Sequence, residues 1–512
     1  MSQDQRDVTA FLRDASSYGP GVDRVEVVET HASLVFIAGE RVFKLKRAVK
    51  YPYLDFSTTH LRRRACEAEF TLNRRTAPTL YEEVRGIFRG ADGAVGFSPH
   101  GAALDWVVVM RRFDQAMLFD ALAEAGALDP HLMDQLADHI ASFHASADRH
   151  FDRGGAVEMA DLAEVQYRCL SAQSDAGFSP GRVDAMLENW RGRLAALAGL
   201  LNRRRAAGKV RHCHGDLHLR NICLFDGEPT LFDCLEFDEA LASIDILYDL
   251  AFLAMDLEHR GLERFANRVL NRYLDRTEED DGLAAMPFFL SLRAAIRAHV
   301  VATSSHHAER AAAGIKMTCD ARRYFALAER FLQPQPCRLV AIGGLSGTGK
   351  STLAASLAPE LGLRPGARVL RSDVTRKLLL GVAPEERLPA AAYSGETSRS
   401  VYGALCRKAA IGLAAGYTVI IDAVALRNEE RSSFAEVARA AAIPFSGLWL
   451  EAQPQVMTDR IRGRIRDASD ASPEVLAEQL RHDPGGIDWI RIDAGGRPEV
   501  CLAAARRAIG MG

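Results

Sequence analysis

The stretch Gly344-Leu345-Ser346-Gly347-Thr348-Gly349-Lys350-Ser351, followed by Thr352, has the spacing GxxxxGK[ST]. An apolar run, LVAIG, precedes it and a helical pattern, STLAASLAPEL, follows. Glycines at these places let successive backbone N–H groups turn toward phosphate oxygens. The start of the following helix adds a favourable dipole. Lys350 is expected to reach the β- and γ-phosphates and Ser351 to ligate Mg²⁺, so ATP and Mg²⁺ are the expected cofactors. Asp422 ends the run TVIID, where a second Mg²⁺-associated carboxylate belongs; a solvated strand-end carboxylate is the plainer reading. Ala423 follows, where a hydrolytic ATPase needs a carboxylate to activate water, which favours transfer to a bound acceptor. Asp373, after ARVLR, is placed to face a substrate crevice and accept a proton from an acceptor hydroxyl. Arg376 and Lys377 could hold an anionic acceptor, or the three could be a helix cap with solvated basic followers. Arg460 and Arg464, four apart, form either a lid over the phosphates or a solvated basic face.

A second constellation lies upstream. His214-Gly215-Asp216-Leu217-His218-Leu219-Arg220-Asn221 has the pattern HxDxxxxN, and Asp233 closes the run TLFD. Phosphoryl transfer runs on positioning and on neutralising spread negative charge. It needs an Asp to orient or deprotonate the acceptor hydroxyl, and an Asn and a later Asp on Mg²⁺. Asp216, Asn221 and Asp233 supply that set. Lys44 and Lys46 share one face of VFKLK. One of them is expected to pair with a helix carboxylate, Glu67 or Glu69, and with the α/β-phosphates. Lys44 with Glu67 is the favoured pairing, the register being ambiguous. His144 reads as a satisfied helix-end residue, and Asp245 and Asp249 as loop-bracing carboxylates. Glu236 and Asp238 either help Asp233 with metal or cap the next helix.

These residues need scaffolds to position them. The chain has 512 residues, beyond one ordinary core. Residues about 22–112 read as a strand-rich small lobe with one helix near 58–75, and about 113–332 as a helical large lobe with short strands near 222–235. Leu61, Cys66, Phe70 and Leu72 are among that first helix's apolar positions. QPQPC at 333–337 reads as a stiff linker. From 338 to 512 strands and helices alternate: RLVAIGG, ARVLRSD, YTVIIDA and FSGLWLEA. The fold class expected is an α+β, two-lobed, protein-kinase-like domain at 1–332 followed by an α/β P-loop domain with a parallel sheet.

Composition excludes some classes. A net charge of −3 gives no general pull on nucleic acid or anionic membrane. Nine scattered cysteines, without a CxxC pair, fit a reducing cytoplasm rather than a disulfide or zinc framework. The polar start MSQDQRDVTAFLRD does not read as a signal peptide, and no run of 18 apolar residues occurs, so no membrane span is expected. Only eight of the 64 basic residues are Lys, which makes a Lys at a phosphate-binding position noticeable.

The motifs GLSGTGKST, SDVTRK, VIIDA and DRIRGRIRDASDAS resemble the small P-loop kinases and zeta-toxin-like proteins. That resemblance implies Asp373 as base or acceptor-orienting group and Arg460 and Arg464 as lid arginines. HGDLHLRN, LFDCLEFDE and SIDILYDLAFL are similar to the aminoglycoside phosphotransferase-like, or choline-kinase-like, family. One departure is the lack of a Gly-rich phosphate loop near VETHASLVFIAG, where Thr30, His31, Ala32 and Ser33 must serve otherwise. The fused architecture looks like bacterial proteins that join both modules. It implies a cytoplasmic, Mg²⁺- and ATP-dependent phosphotransferase with a centre in each module and a small-molecule acceptor. Alternatively, one module senses a ligand and regulates the other, or the P-loop module is a polynucleotide 5′-hydroxyl kinase. Oligomeric state is open.

Overall fold

The computed structural model describes residues 3–30, 32–51, 54–236, 239–305, 311–463 and 468–511. It divides into two compact units, one of residues 1–155 with 202–253 and one of residues 156–201 with 254–512.

The first unit contains a mixed-length antiparallel sheet of β1 (Val25–Glu29), β2 (Ser33–Ala38), β3 (Arg41–Lys46), β4 (Tyr81–Arg89), β5 (Val95–Gly96) and β6 (Ala102–Arg111). Its spatial order is β1-β2-β3-β6-β4-β5. Alternation along β3 decides where its side chains go. Phe43 and Leu45 join Leu34, Phe36, Val107 and Val109 in a core sealed by Val8 and Leu12 of the N-terminal helix. Lys44 and Lys46 therefore face the other side, where Cys66 and Met110 pack. The helix Thr59–Asn73 covers that side, its start capped by the Thr58 hydroxyl, which accepts from the Leu61 amide at 3.2 Å. Its buried stripe is Arg62, Cys66, Glu69 and Asn73. This i, i+4, i+7, i+11 spacing is helical, but three of the four residues are polar. Leu61, Phe70 and Leu72 are only partly buried.

In the second unit, the P-loop region is a sheet of five parallel strands: β7 (Leu339–Gly343), β8 (Arg368–Arg371), β9 (Val419–Asp422), β10 (Phe445–Glu451) and β11 (Ile490–Asp493). The order β8-β9-β7-β10-β11 places β7 centrally, buried along its whole length, with apolar cores on both faces. β11, reading IRID with one buried residue, adds an edge strand without an apolar run to announce it.

The other edge, β8, is covered by the helix Glu263–Thr277. Asn271 accepts the Val369 N–H at 2.7 Å, and Asn267 and Asn271 donate to the Ala367 carbonyl at 3.0 and 3.1 Å. Side-chain amides thus take the hydrogen bonds a further strand would have made. Arg368, 1% exposed, is held there by Asp275 at 2.7 Å and Asp280 at 2.6 Å. The segment Glu279–Ser305 is long and apolar enough to cross a bilayer, and 67% of its most apolar window is buried inside the fold, as in a core helix.

Candidate functional sites

In the first unit, Asp216 lies on the loop after the strand Val210–His212. Asp249 braces this loop, accepting the amides of His214 at 3.1 Å and Gly215 at 2.9 Å and meeting His144 Nε2 at 3.1 Å. His214 Nε2 contacts the Phe232 carbonyl at 2.9 Å, and the Phe232 amide donates to the Asn221 carbonyl at 3.0 Å. The segments carrying Asp216, Asn221 and Asp233 are thereby bonded to one another. Asn221 Nδ2 donates to the Asp216 carboxylate and carbonyl, each at 2.9 Å. Asp233 has φ of +59°, an uncommon conformation for a residue with a side chain. It holds a carboxylate 41% exposed, its amide reaching Tyr81 Oη at 3.3 Å. Backbone strain of this kind costs about 1–3 kcal/mol and clusters at functional sites.

Lys44 Nζ bridges Asp233 at 2.6 Å and Glu69 at 2.9 Å. Lys46, 2% exposed, bridges Glu69 at 2.5 Å and pairs with Glu236. Burial pushes the Glu69 carboxyl up, but Lys44 and then Lys46 outweigh it and hold its pKa down to about 2. Glu236 goes the other way: burial raises it, Lys46 opposes, and the neighbouring Glu69 charge adds to the rise. The expected partner Glu67 is wrong. It is half exposed and paired with Arg63 one helical turn back. Two residues along a helix turn the side chain by about 200°, so when Glu69 faces the sheet Glu67 faces outward. Asp238 and His31 lie outside the described residues. The β1–β2 turn is closed by Thr30, whose hydroxyl accepts the Ser33 amide at 2.9 Å, with no glycine.

The P-loop site sits at the carboxyl ends of β7, β8 and β9. Gly344 and Gly347 have φ of +136° and +84°. A Cβ on them would lie 2.6 Å from the Leu450 carbonyl and 2.5 Å from the Met457 carbonyl, so the cradle admits only glycine. The Ser346 amide donates to Gln479 Oε1 at 2.9 Å, a carbonyl oxygen standing where a phosphate oxygen would be received. Lys350 Nζ donates to the Leu345 carbonyl at 3.0 Å, while the Leu345 side chain packs against Met457, Ile461 and Leu476. Ser351 Oγ donates to Asp422 at 2.6 Å. Arg371, at the end of β8, reaches Ser351 Oγ at 3.2 Å and Asp422 at 3.4 Å. A cavity of about 870 Å³ opens here, lined by Lys350, Ser351, Thr352, Asp373, Asp422 and Arg460 among others.

Burial raises the Asp373 carboxyl, and Arg371 is the strongest opposing charge. Arg376 lines the cavity, lying over the Tyr393 ring at 4.6 Å and donating to the Ala392 carbonyl at 3.0 Å. Lys377 does not meet the expectation of acceptor contact. It is fully buried, donating to the Pro384 carbonyl at 2.9 Å and to Asp470 at 3.1 Å. One residue along the helix from Arg376 turns its side chain by about 100°. Arg460 lies over the loop, 3.4 Å from the Thr348 carbonyl. Arg464 lies outside the described residues. Sequence reasoning missed Arg371 and Gln479. Arg371 had a signal, an Arg two residues before Asp373 at a strand end; Gln479 had none.

The chain matches the family model described as a phosphotransferase enzyme family over residues 100–289, and that described as an AAA domain over residues 339–483. A choline kinase from Cryptosporidium parvum Iowa II is 10% identical, covering 64% of this chain and 95% of its own, with a TM-score of 0.40. A sugar kinase from Janibacter sp. HTCC2649 is 22% identical, covering 35% of this chain and 96% of its own, with a TM-score of 0.28. The Mycobacterium tuberculosis (strain ATCC 25618 / H37Rv) protein Rv2004c is 33% identical over 494 residues, covering 94% of each chain. Mb2027c of Mycobacterium bovis aligns equally. The kinase-like region followed by a P-loop region makes this an ATP-dependent phosphotransferase that acts on hydroxyl groups. It belongs to the family of Rv2004c, the shared sequence running through both modules.

Proposed function

We propose that the chain carries two phosphoryl-transfer centres, each phosphorylating a hydroxyl of a small-molecule acceptor. The observation that carries this reading is that polar groups converge in each unit, Asp216 with Asn221 and Lys44 with Glu69 and Asp233 in the first, and Lys350, Ser351, Asp373 and Asp422 around one cavity in the second.

The residues fit ATP and Mg²⁺. A glycine cradle that a Cβ would fill, and a hydroxyl converging with a carboxylate, suit a nucleotide and its ion at the P-loop. The oxygen-rich pair Asn221 and Asp233 suits Mg²⁺ in the first unit. When bound, the ion neutralises phosphate charge and fixes its geometry. In the first unit Asn221 and Asp233 would hold it and Lys44, steadied by Glu69, would hold the α/β-phosphates. Asp216 takes or orients the acceptor hydroxyl proton. In the P-loop centre the loop amides and Lys350 cradle phosphate, and Ser351 with Asp422 would hold the ion. Asp373 accepts the proton, Arg376 orients the acceptor and Arg460 closes from above. Binding of a non-hydrolysable ATP analogue with Mg²⁺ tests this. Two sites per chain are expected, one lost in Lys44→Ala and the other in Lys350→Ala. A single site, lost in only one variant, contradicts it.

A second reading has one observation in its favour. The β1–β2 turn contains no glycine, which suits a first unit that senses nucleotide without transferring phosphate. That reading predicts binding without any product lost in Asp216→Asn.

A further inference from the structure

Among residues assigned to neither centre, His150, His212 and Glu239 come together within the first unit. His212 ends the strand Val210–His212 and Glu239 opens the helix Glu239–Ala242. His150 is clipped to that strand: its amide donates to the Val210 carbonyl at 2.9 Å, and the His212 amide donates to the Asp148 carbonyl at 2.8 Å. One ligand atom from each of the three residues lies within 4.8 Å of the others. The Nε2 atoms of His150 and His212 are shielded from solvent, and neither has a hydrogen-bond partner among the described residues. An imidazole nitrogen buried without a partner is costly, and two of them beside a carboxylate call for a common ligand. Burial and then the Arg75 charge push the His212 pKa down, toward the neutral ring that a metal ion takes as a ligand. Arg75 itself is engaged with the His212 carbonyl, at 2.8 Å.

Two imidazoles and a carboxylate are zinc chemistry, with a fourth position left for water. We propose that His150, His212 and Glu239 form a binding site for a divalent transition-metal ion of the zinc type. A second histidine-containing cluster among the described residues, His144, Cys213 and Asp249, is already satisfied. There Asp249 already serves two loop amides and His144, and Cys213 Sγ donates to the Ile244 carbonyl at 3.5 Å. Ligands around tetrahedral zinc stand about 3.4 Å apart, so binding draws the three side chains inward; exposed Glu239 has the room to turn. His212 and Glu239 bracket the stretch that carries Asp216, Asn221 and Asp233. An ion held between them ties the two ends of that stretch and adds its binding energy to folding. Mg²⁺, which prefers oxygen ligands, does not compete for nitrogen.

The test uses full-length protein stripped with a chelator, then titrated with Zn²⁺ and with Co²⁺. The site predicts a rise in Tm with Zn²⁺ and a visible d–d band with Co²⁺. The single variants His150→Ala, His212→Ala and Glu239→Gln should lose one bound ion per chain, the band and the Tm shift. His131→Ala should retain all three. Glu239→Gln alters an exposed side chain and keeps the test open if a histidine variant fails to fold. Equal stoichiometry and band in wild type and Glu239→Gln, or no Zn²⁺ response in wild type, overturns the proposal.

Discussion

Glu69 and Glu67 are two residues apart and differ in almost every physical respect. Glu69 is fully buried between two ammonium groups, while Glu67 shares an exposed pair with Arg63. Glu69→Gln leaves buried Lys44 and Lys46 short of a counter-charge and should cost about 3–5 kcal/mol. Glu67→Gln should change stability by less than about 0.5 kcal/mol. Chemical denaturation of the two variants checks the contrast. Asp373 gives a pH prediction. Its folded pKa lies above the ordinary carboxylate value, and a base must be ionised. P-loop transfer should therefore fall on acidification earlier than an ordinary carboxylate would dictate. Arg371→Met removes the charge that opposes burial and should move that limb further up in pH, read from kcat/KM profiles. The same sign bears on stability. The folded chain holds the Asp373 proton more tightly than the unfolded chain, so stability falls as pH rises through the folded pKa. Asp373→Asn should then raise Tm at neutral pH while abolishing transfer.

At the scale of elements, the clearest dependence is that of β8 on the helix Glu263–Thr277. Arg368→Met leaves buried Asp280 and partly buried Asp275 without their cation, for a loss of about 3–5 kcal/mol. Asn271→Ala unpairs the Val369 amide and should cost about 1–3 kcal/mol. Thermal unfolding of both variants measures this. Because β8 leads within three residues from Arg368 to Arg371, Arg368→Met should also weaken nucleotide binding at the P-loop. The strands themselves were legible: the period of two placed Lys44 and Lys46 on one face, and LVAIG before a glycine loop announced β7. The helix Thr59–Asn73 was legible in extent but not in face, since its inward stripe is polar and hydrophobic periodicity is blind to it. β11 escaped for a different reason: with Ile492 its one buried residue, it carries no apolar run. Lys377 misled because a lysine beside a substrate crevice reads as functional until Asp470, 93 residues on, is seen to bury with it. Long-range charge pairing leaves no local mark in a sequence.

For the whole chain, the motifs foretold two nucleotide modules because each is a short, local arrangement of backbone and charge. What the compact units add is that the segments 156–201 and 254–512 form one unit, which includes the P-loop sheet. The central proposal is two working centres in one polypeptide. The direct measurement is transfer from terminally labelled ATP with Mg²⁺ to a pooled panel of hydroxyl-bearing metabolites, using wild type, Asp216→Asn and Lys350→Ala. Each variant should lose a different labelled product, the Asp216→Asn product falling by roughly 10²–10⁴-fold, with the other product retained. If one variant loses every product and the other loses none, two centres are contradicted and a single centre with a regulatory partner takes their place.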